Sequence, residues 1–176
     1  MWCTQICMIS SFVKTIRILG IDPGFGRTGF GVIEKKTGDW ELVDYGCVET
    51  SPKKDFVNRL EELSLELKKI IKKYQPTCVA VEDLFFYKNA KTVIKVAQAR
   101  GVILLTAMQH NLPVYEFTPL QVKQGVTGYG RAEKGQLERM VKMIFNLKKP
   151  ITPDDAADAL AVALTCGASL KLKQFS

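Results

Sequence analysis

The sequence contains few of the residues that bind transition metals. Among its 176 residues there is one histidine, and the five cysteines include no Cys-x-x-Cys pair. The spacings typical of zinc sites are therefore absent. His110 ends an apolar helical segment, so we expect it at a helix end or on the surface and not as a catalytic base. Scattered, unpaired cysteines are typical of a reducing compartment, which predicts a cytoplasmic protein.

The amino-terminal segment lacks the pattern of a signal peptide or a membrane span. Residues 1–15 have no basic stretch before their apolar residues, and Gln5, Ser10 and Ser11 interrupt the apolar run. We therefore expect no membrane association. The chain is predicted to consist of a disordered N-terminal extension at residues 1–15, a single domain at residues 16–170 and a C-terminal tail at residues 171–176.

The chain has fewer acidic than basic residues. The chain has 25 lysines and arginines but 18 aspartates and glutamates, a formal net charge of +7 and a pI near 9.2. A basic surface favours a polyanionic partner such as nucleic acid, although net charge alone is weak support.

The hydrophobic pattern predicts strands first and then strands alternating with helices. Strands are expected at residues 16–22, 28–35, 40–50, 77–82 and 113–117. Helices are expected at residues 55–74, 89–110, from 118 to a flexible loop at 125–132, and at 132–147 and 153–170. A meander followed by parallel strands and helices predicts an α/β protein with the ribonuclease H-like fold. Its five-stranded mixed sheet would have the order 3-2-1-4-5, with helices on both faces.

Four carboxylates occupy positions that suit a metal-dependent nuclease. Asp22 ends the first strand and Glu82 ends the fourth, and these strands are neighbours in the expected order. Asp155 and Asp158 are three residues apart in a predicted helix, so both project from one face. Several acids at one place repel each other unless a cation lies between them, and hard oxygen ligands suit Mg²⁺ or Mn²⁺. We assign the adjacent Asp154 to the helix N-terminus, where its charge stabilises the helix dipole.

Five short motifs resemble the RuvC family of Holliday junction resolvases, in order along residues 16–168. They are Ile18-Leu19-Gly20-Ile21-Asp22-Pro23-Gly24, Val79-Ala80-Val81-Glu82-Asp83-Leu84-Phe85-Phe86, Val122-Lys123-Gln124, Ala132-Glu133-Lys134 and Asp155-Ala156-Ala157-Asp158-Ala159-Leu160. The resemblance implies that the metal-binding acids are Asp22, Glu82, Asp155 and Asp158. It also implies that Lys123 and Lys134 act in catalysis or junction binding, and that Phe85 meets the junction centre unless Phe86 does.

The resemblance further implies a structure-selective endonuclease that resolves four-way junctions during DNA recombination and repair. Two Mg²⁺ ions per active site, or Mn²⁺ in their place, would support hydrolysis that leaves 5′ phosphates and 3′ hydroxyls. A junction-migrating helicase complex of the RuvA/RuvB type is the implied partner. The loop between Lys123 and Lys134 contains Arg131 and several glycines, which let a backbone approach phosphates closely, so we expect DNA contacts there.

Paired, symmetric cuts require two active sites, which predicts a two-fold homodimer. The segment at residues 89–110 has apolar residues on more than one face, and we expect one of these faces to contact the partner. The alternative is a helix that the core covers completely.

Three other functions compete with the nuclease. Residues 24–29 satisfy the dinucleotide pattern G-x-G-x-x-G, but that motif must open a helix and here precedes a predicted strand. An actin-like ATPase also begins with a strand, an aspartate and glycines, but usually needs a second such half. The third is a catalytically idle junction- or DNA-binding module, against which the four intact acids argue.

Overall fold

The computed structural model describes residues 15–84 and 90–173 of the chain, with side chains at 15–84 and 92–170. Its five strands form one mixed sheet with the order β3-β2-β1-β4-β5, which confirms the predicted order. The strands are β1 (Ile16–Asp22), β2 (Arg27–Lys35), β3 (Glu41–Glu49), β4 (Cys78–Glu82) and β5 (Val114–Phe117).

The helices cover both faces of the sheet, as predicted. They are α1 (Phe56–Tyr74), α2 (Ala90–Gln109), α3 (Pro119–Thr127), α4 (Lys134–Ile144) and α5 (Asp154–Lys173). Side chains alternate across a strand, so β1 supplies both halves of the core. Leu19 and Ile21 pack with α1 and α2, whereas Ile18 packs on the side of α5.

The close packing of α5 on the sheet depends on two glycines that face each other across β1 and β2. Gly20 pairs with Gly31 in the antiparallel register. A Cβ on Gly20 would lie 2.2 Å from the Ala159 carbonyl oxygen, and one on Gly31 would lie 2.6 Å from Leu160 Cδ2. Only the absence of both side chains lets the helix backbone come this close to the strands.

The carboxyl-terminal helices differ from prediction at their ends. The predicted start of the loop at residue 125 is wrong, because α3 continues to Thr127 and is capped by Gly128, with φ 75°. Gly125 stays in the helix because it packs on α5, where a Cβ would meet Thr165 Oγ1 at 2.8 Å. At the other end of the chain, α5 runs through Lys173, so the predicted tail is partly helical.

Two further predictions concern other parts of the chain. The expected helix cap Asn89 and residues 1–14 of the extension predicted at residues 1–15 lie outside the described residues. Within the described parts, no helix combines the length and the apolar character needed to cross a membrane.

Candidate active site

Two strands place the first pair of acids side by side. β1 and β4 are parallel and paired through Ile21 and Val81, so the next residues, Asp22 and Glu82, end the strands together. Both side chains are half-buried. The carboxyl end of the sheet therefore carries two acids that are 60 residues apart in sequence, as predicted.

The charges of all three other predicted acids act on the Asp22 carboxyl. Burial, which disfavours the charged form, is the largest cause that raises its pKa to about 8. The charges of Glu82, Asp158 and Asp155 and a hydrogen bond with Glu82 raise the pKa further. Carboxylates that are distant in sequence thus lie close enough to Asp22 for their charges to raise its pKa.

Glu82 interacts with the other acids and also with the positive charges of two lysines. Burial is again the largest cause, and it raises the pKa of Glu82 to about 7. The hydrogen bond with Asp22 lowers the pKa, and the charge of Asp158 raises it. Lys123 and Lys134 lower it through their positive charges, which puts both predicted lysines within electrostatic reach of the acids.

The first turn of α5 brings Asp155 to the sheet. A Cβ on Gly29 would lie 2.0 Å from the Asp155 carbonyl oxygen, so β2 and the helix are in backbone contact here. Asp155 Oδ2 lies 2.7 Å from Arg27 Nη2. This contact lacks hydrogen-bond geometry, and the buried oxygen accepts no hydrogen bond from the described residues. A buried carboxylate oxygen without a donor is a suitable ligand for a cation.

Lys134 connects two acids of α5. Its Nζ lies 2.8 Å from Asp154 Oδ2 and 3.1 Å from Asp158 Oδ2. The hydrogen bond to Asp154 is the largest cause that raises the pKa of Lys134, which is therefore fully charged at neutral pH. The same hydrogen bond is the largest cause that lowers the pKa of Asp154. For Asp158, burial dominates and raises the pKa, while Lys134 opposes this rise.

The donor set fits a hard divalent cation, although the side chains do not form a closed ligand group. The four acids offer only carboxylate oxygens, which Mg²⁺ and Mn²⁺ prefer. Among the described residues, however, no three acidic, histidine or cysteine side chains are grouped to hold one ion. One reason is visible, because the carboxylate of Asp158 is paired with Lys134. Binding of a cation would require Asp158 to turn from the lysine to the other acids.

The remaining predicted residues differ in their relation to these acids. Lys123 is half-buried on α3, and its charge reaches Glu82. Arg131 is exposed in the turn before α4, and no described contact connects it to the acids. Phe85 and Phe86 lie outside the described residues. His110 is exposed just after α2, which agrees with the predicted helix-end position.

Sequence reasoning missed two residues of the site. It did not consider Arg27, which pairs with Asp155 and also approaches Glu49 and Asp154. It placed Asp154 in the first turn of α5, correctly, but did not predict its contact with Lys134. An arginine inside the glycine-rich segment was the one available signal for the first. The second depends on where α4 packs, which no local pattern shows.

Comparisons with known proteins point to one family. A family model described as "Crossover junction endodeoxyribonuclease RuvC" matches residues 18–166. The relative of that name from Petrotoga mobilis is 53% identical over 150 residues, covering 85% of this chain and 92% of the relative. The one from Caldicellulosiruptor saccharolyticus is 55% identical over 150 residues, covering 85% of this chain and 90% of the relative.

Solved structures support the same similarity. Thermus thermophilus RuvC superposes with a TM-score of 0.83 at 34% identity, over 90% of this chain and 97% of that one. The same protein in complex with a Holliday junction substrate gives a TM-score of 0.84 at 34% identity, over 90% and 96% of the two chains. The yeast mitochondrial Holliday junction resolvase Ydc2, at 14% identity and a TM-score of 0.65, shares the fold.

Proposed function

The chain belongs to the RuvC family of crossover junction endodeoxyribonucleases, and we propose that it resolves four-way DNA junctions with a metal centre on Asp22, Glu82, Asp155 and Asp158. The observation that carries this assignment is the raised pKa of the Asp22 carboxyl, about 8. Burial is its largest cause, and the charges of the three other acids add to it. Buried acids that also repel each other are typical of a site that binds cations.

The metal is proposed to be Mg²⁺, two ions per site, with Mn²⁺ able to replace it. Such ions would supply an activated water and stabilise the charge that develops on the phosphate and on the leaving oxygen. The protein's own task is to hold the four carboxylates in place, and a bound cation would keep them ionised despite their burial. The charges of Glu82, Asp158 and Asp155 all act on Asp22, and these four carboxylates would together hold the ions.

Lys134 is proposed to change partners when DNA binds. Its ammonium forms ion pairs with both Asp154 and Asp158. If Asp158 turns to a cation, one of the donors of Lys134 becomes available for a phosphate oxygen, and Asp154 still holds the lysine in position. A fixed positive charge at the scissile phosphate stabilises the transition state more than one that must be brought there.

Further DNA contacts are proposed for Lys123, Arg131 and Phe85. Lys123 and Arg131 would bind backbone phosphates, which gives an affinity that falls as salt rises. Phe85 would stack on an unpaired base at the junction centre, a contact worth about 1–3 kcal/mol and largely independent of salt. Phosphate contacts position the DNA, whereas stacking favours the open centre of a four-way junction over a plain duplex.

A two-fold homodimer is proposed to place two such sites on one junction. α2 turns Ala99, Ile103 and Ala107 into the core. Its other side exposes Ile94, Leu105 and Met108, each at about 60%. A Cβ on Gly101, between them, would meet no atom within 4 Å. An exposed apolar stripe with a glycine at its centre suits close contact with a second copy of the helix.

Two further elements of the proposal rest on the family. A junction-migrating helicase complex of the RuvA/RuvB type is the proposed partner that delivers junctions to the enzyme. The cytoplasm is the proposed site of action, because the relatives from Petrotoga mobilis and Caldicellulosiruptor saccharolyticus are bacterial and bacterial chromosomal DNA lies there.

The proposed function is tested with a synthetic four-way junction labelled on each strand in turn. In the presence of Mg²⁺ we expect nicks at symmetric positions on two opposing strands, and no cutting of a linear duplex of the same sequence. Binding of the junction without any nick, in Mg²⁺ and in Mn²⁺, would instead identify a catalytically idle junction-binding protein.

A further inference from the structure

Two cations and two aromatic rings cluster beside the loop that follows Asp22. Arg59 Cζ lies 3.8 Å from the centroid of the Phe25 ring, and Lys95 Nζ lies 5.1 Å from the same centroid. The Phe56 ring packs on Phe25 with a centroid distance of 5.3 Å. One loop and the two helices α1 and α2 thus bring two positive charges to a single aromatic ring.

The arginine of this cluster is held in a fixed position. Arg59 Nε donates to Thr50 Oγ1 at 3.0 Å, and the Thr50 hydroxyl donates to the Phe25 carbonyl oxygen at 3.2 Å. The Thr50 amide donates to the carbonyl oxygen of Gly26 at 3.1 Å. The loop between β1 and β2 therefore orients both the ring and the guanidinium. A group held this way loses little conformational entropy when it binds a ligand.

The two charges form no direct ion pair in the described part of the chain, although the charge of Arg59 acts on Glu62 and helps to lower its pKa. Neither Arg59 nor Lys95 forms an ion pair there, whereas Arg27 and Lys134 each contact two or more carboxylates. Glu62, one turn from Arg59 on α1, is paired with Lys54 at 3.3 Å. A single cation over an aromatic ring contributes about 0.5–1 kcal/mol at an exposed site. A second cation on the same ring repels the first, so the pair is a better anion site than a structural contact.

The position of the cluster indicates which anion it binds. α3 and α4, with Lys123 and Lys134, pack against α5 on one face of the sheet. The cluster lies at the same end of the sheet but on the other face, with α1 and α2. The catalytic acids lie between the two groups of cations. DNA that crosses these acids carries one negative charge per roughly 1.7 Å of duplex, so it meets repulsion at the centre and needs positive charge on both sides.

We propose that Arg59 and Lys95, organised on Phe25, bind a backbone phosphate of the junction on the side of the scissile phosphate opposite to Lys123 and Lys134. This inference rests on the proposed function and adds a second anchor to it. A strand held on one side of the scissile phosphate can still pivot, whereas a strand held on both sides keeps that phosphate over the acids.

The first test measures junction affinity against KCl concentration in EDTA, where cutting cannot occur and no divalent cation competes. Each phosphate contact contributes roughly 0.9 to the slope of log affinity against log salt. Lys95→Ala is expected to flatten the slope by about that amount, and Lys95→Arg to preserve it. Lys72→Ala is the matched control and is expected to leave the slope unchanged. Lys72 is an exposed lysine in the last turn of α1, about 24 Å along the helix from Phe56.

The second test locates the contact. Junction phosphates are replaced one at a time by neutral methylphosphonates, and the affinity loss is compared between the unmodified protein, Lys95→Ala and Lys123→Ala. Each variant is expected to become insensitive at its own position, with the cleavage site between the two positions. An unchanged salt slope for Lys95→Ala, or two positions on the same side of the cleavage site, would overturn the proposal. Cutting by the unmodified protein would still support the proposed function in either case.

Discussion

Asp22 on β1 lies directly opposite Gly29 on β2, and the backbone of Asp155 packs against Gly29 from above the sheet. The missing side chain at position 29 is thus what lets an acid of α5 reach an acid of β1. The distance between two proposed metal ligands depends on a residue that contributes no ligand itself.

Gly29→Ala is therefore predicted to impair catalysis through geometry alone. Its Cβ would lie 2.0 Å from the Asp155 carbonyl oxygen, so the first turn of α5 must move by about 1 Å or more. A displacement of this size costs about 100-fold in rate when it moves catalytic groups. The measurement is the junction cleavage rate per folded molecule, together with the melting temperature.

Gly167→Ala provides the control for lost stability. Position 167 is in α5 but twelve residues after Asp155 (167 − 155), and a Cβ there would meet the Trp40 indole at 2.5 Å. This variant is expected to melt earlier yet cleave at the normal rate once folded. Equal cleavage rates for the two variants would show that Gly29 does not position Asp155.

The metal-free protein is predicted to lose stability as pH rises. The Asp22 carboxyl has a pKa of about 8 in the folded chain, chiefly through burial, against an ordinary value of 3.8. Between these values the folded state keeps a proton that the unfolded state has lost, so stability falls from about pH 4 to pH 8. Asp22→Asn removes the contribution of Asp22 and leaves that of Glu82, whose pKa burial raises to about 7. The stability of the variant should therefore depend less on pH, and it should melt at a higher temperature than the parent at pH 8 in EDTA. Each kcal/mol of relieved repulsion corresponds to about 2–4 °C.

Addition of Mg²⁺ separates metal binding from other causes of this behaviour. The cation should raise the melting temperature of the parent at pH 8 and have little effect on Asp22→Asn. If the melting temperatures of parent and variant change with pH in the same way in EDTA, Asp22 is not the group whose raised pKa lowers the stability.

The limits of sequence reasoning follow from the same residues. β1 and β4 were predictable because each is an apolar run that ends in an acid, and the sheet order followed from the alternation of strands and helices. The glycines at positions 20, 29 and 31 gave no such signal. Their role is to have no side chain where α5 packs on the sheet, and α5 lies more than 100 residues away in sequence. The cluster on Phe25 was equally invisible, since Arg59 and Lys95 follow it by 34 and 70 residues with no shared pattern.

The structure gives Asp154 a second role beside the one predicted from the sequence, because it contacts Lys134. Sequence reasoning makes Asp154→Asn a silent control, because it assigns the residue to the helix terminus alone. Since Asp154 Oδ2 lies 2.8 Å from Lys134 Nζ, the variant instead loosens the lysine. We predict a fall in cleavage rate of about tenfold, or ~1.4 kcal/mol in transition-state stabilisation. Asp39→Asn, an exposed acid in the turn between β2 and β3 at the far end of the sheet, is expected to be silent. An Asp154→Asn variant as active as Asp39→Asn would return Asp154 to a purely structural role.

The proposed dimer predicts a specific effect of charge on α2. Ile94→Asp places a carboxylate in the exposed apolar stripe, where its burial against a second copy would be costly. Sedimentation should show a monomer that nicks one strand of a junction without a coordinated second nick. Leu65→Asp, which changes a residue of α1 that is 50% exposed, should leave the dimer intact. Monomeric unmodified protein at micromolar concentration, with junction DNA present, would contradict the dimer.

The central claim is that Asp22 serves chemistry and not DNA binding, and one measurement tests it most directly. Junction affinity in EDTA and junction cleavage rate in Mg²⁺ are determined for Asp22→Asn, with Asp39→Asn as the matched control. We predict that Asp22→Asn binds the junction as tightly as the parent in EDTA at pH 7, since the metal-free Asp22 carboxyl, with a pKa of about 8, is already mostly neutral there. The variant should cleave at least about 100-fold more slowly in Mg²⁺, because a metal ligand is lost. Cleavage by Asp22→Asn at the rate of Asp39→Asn would contradict the account.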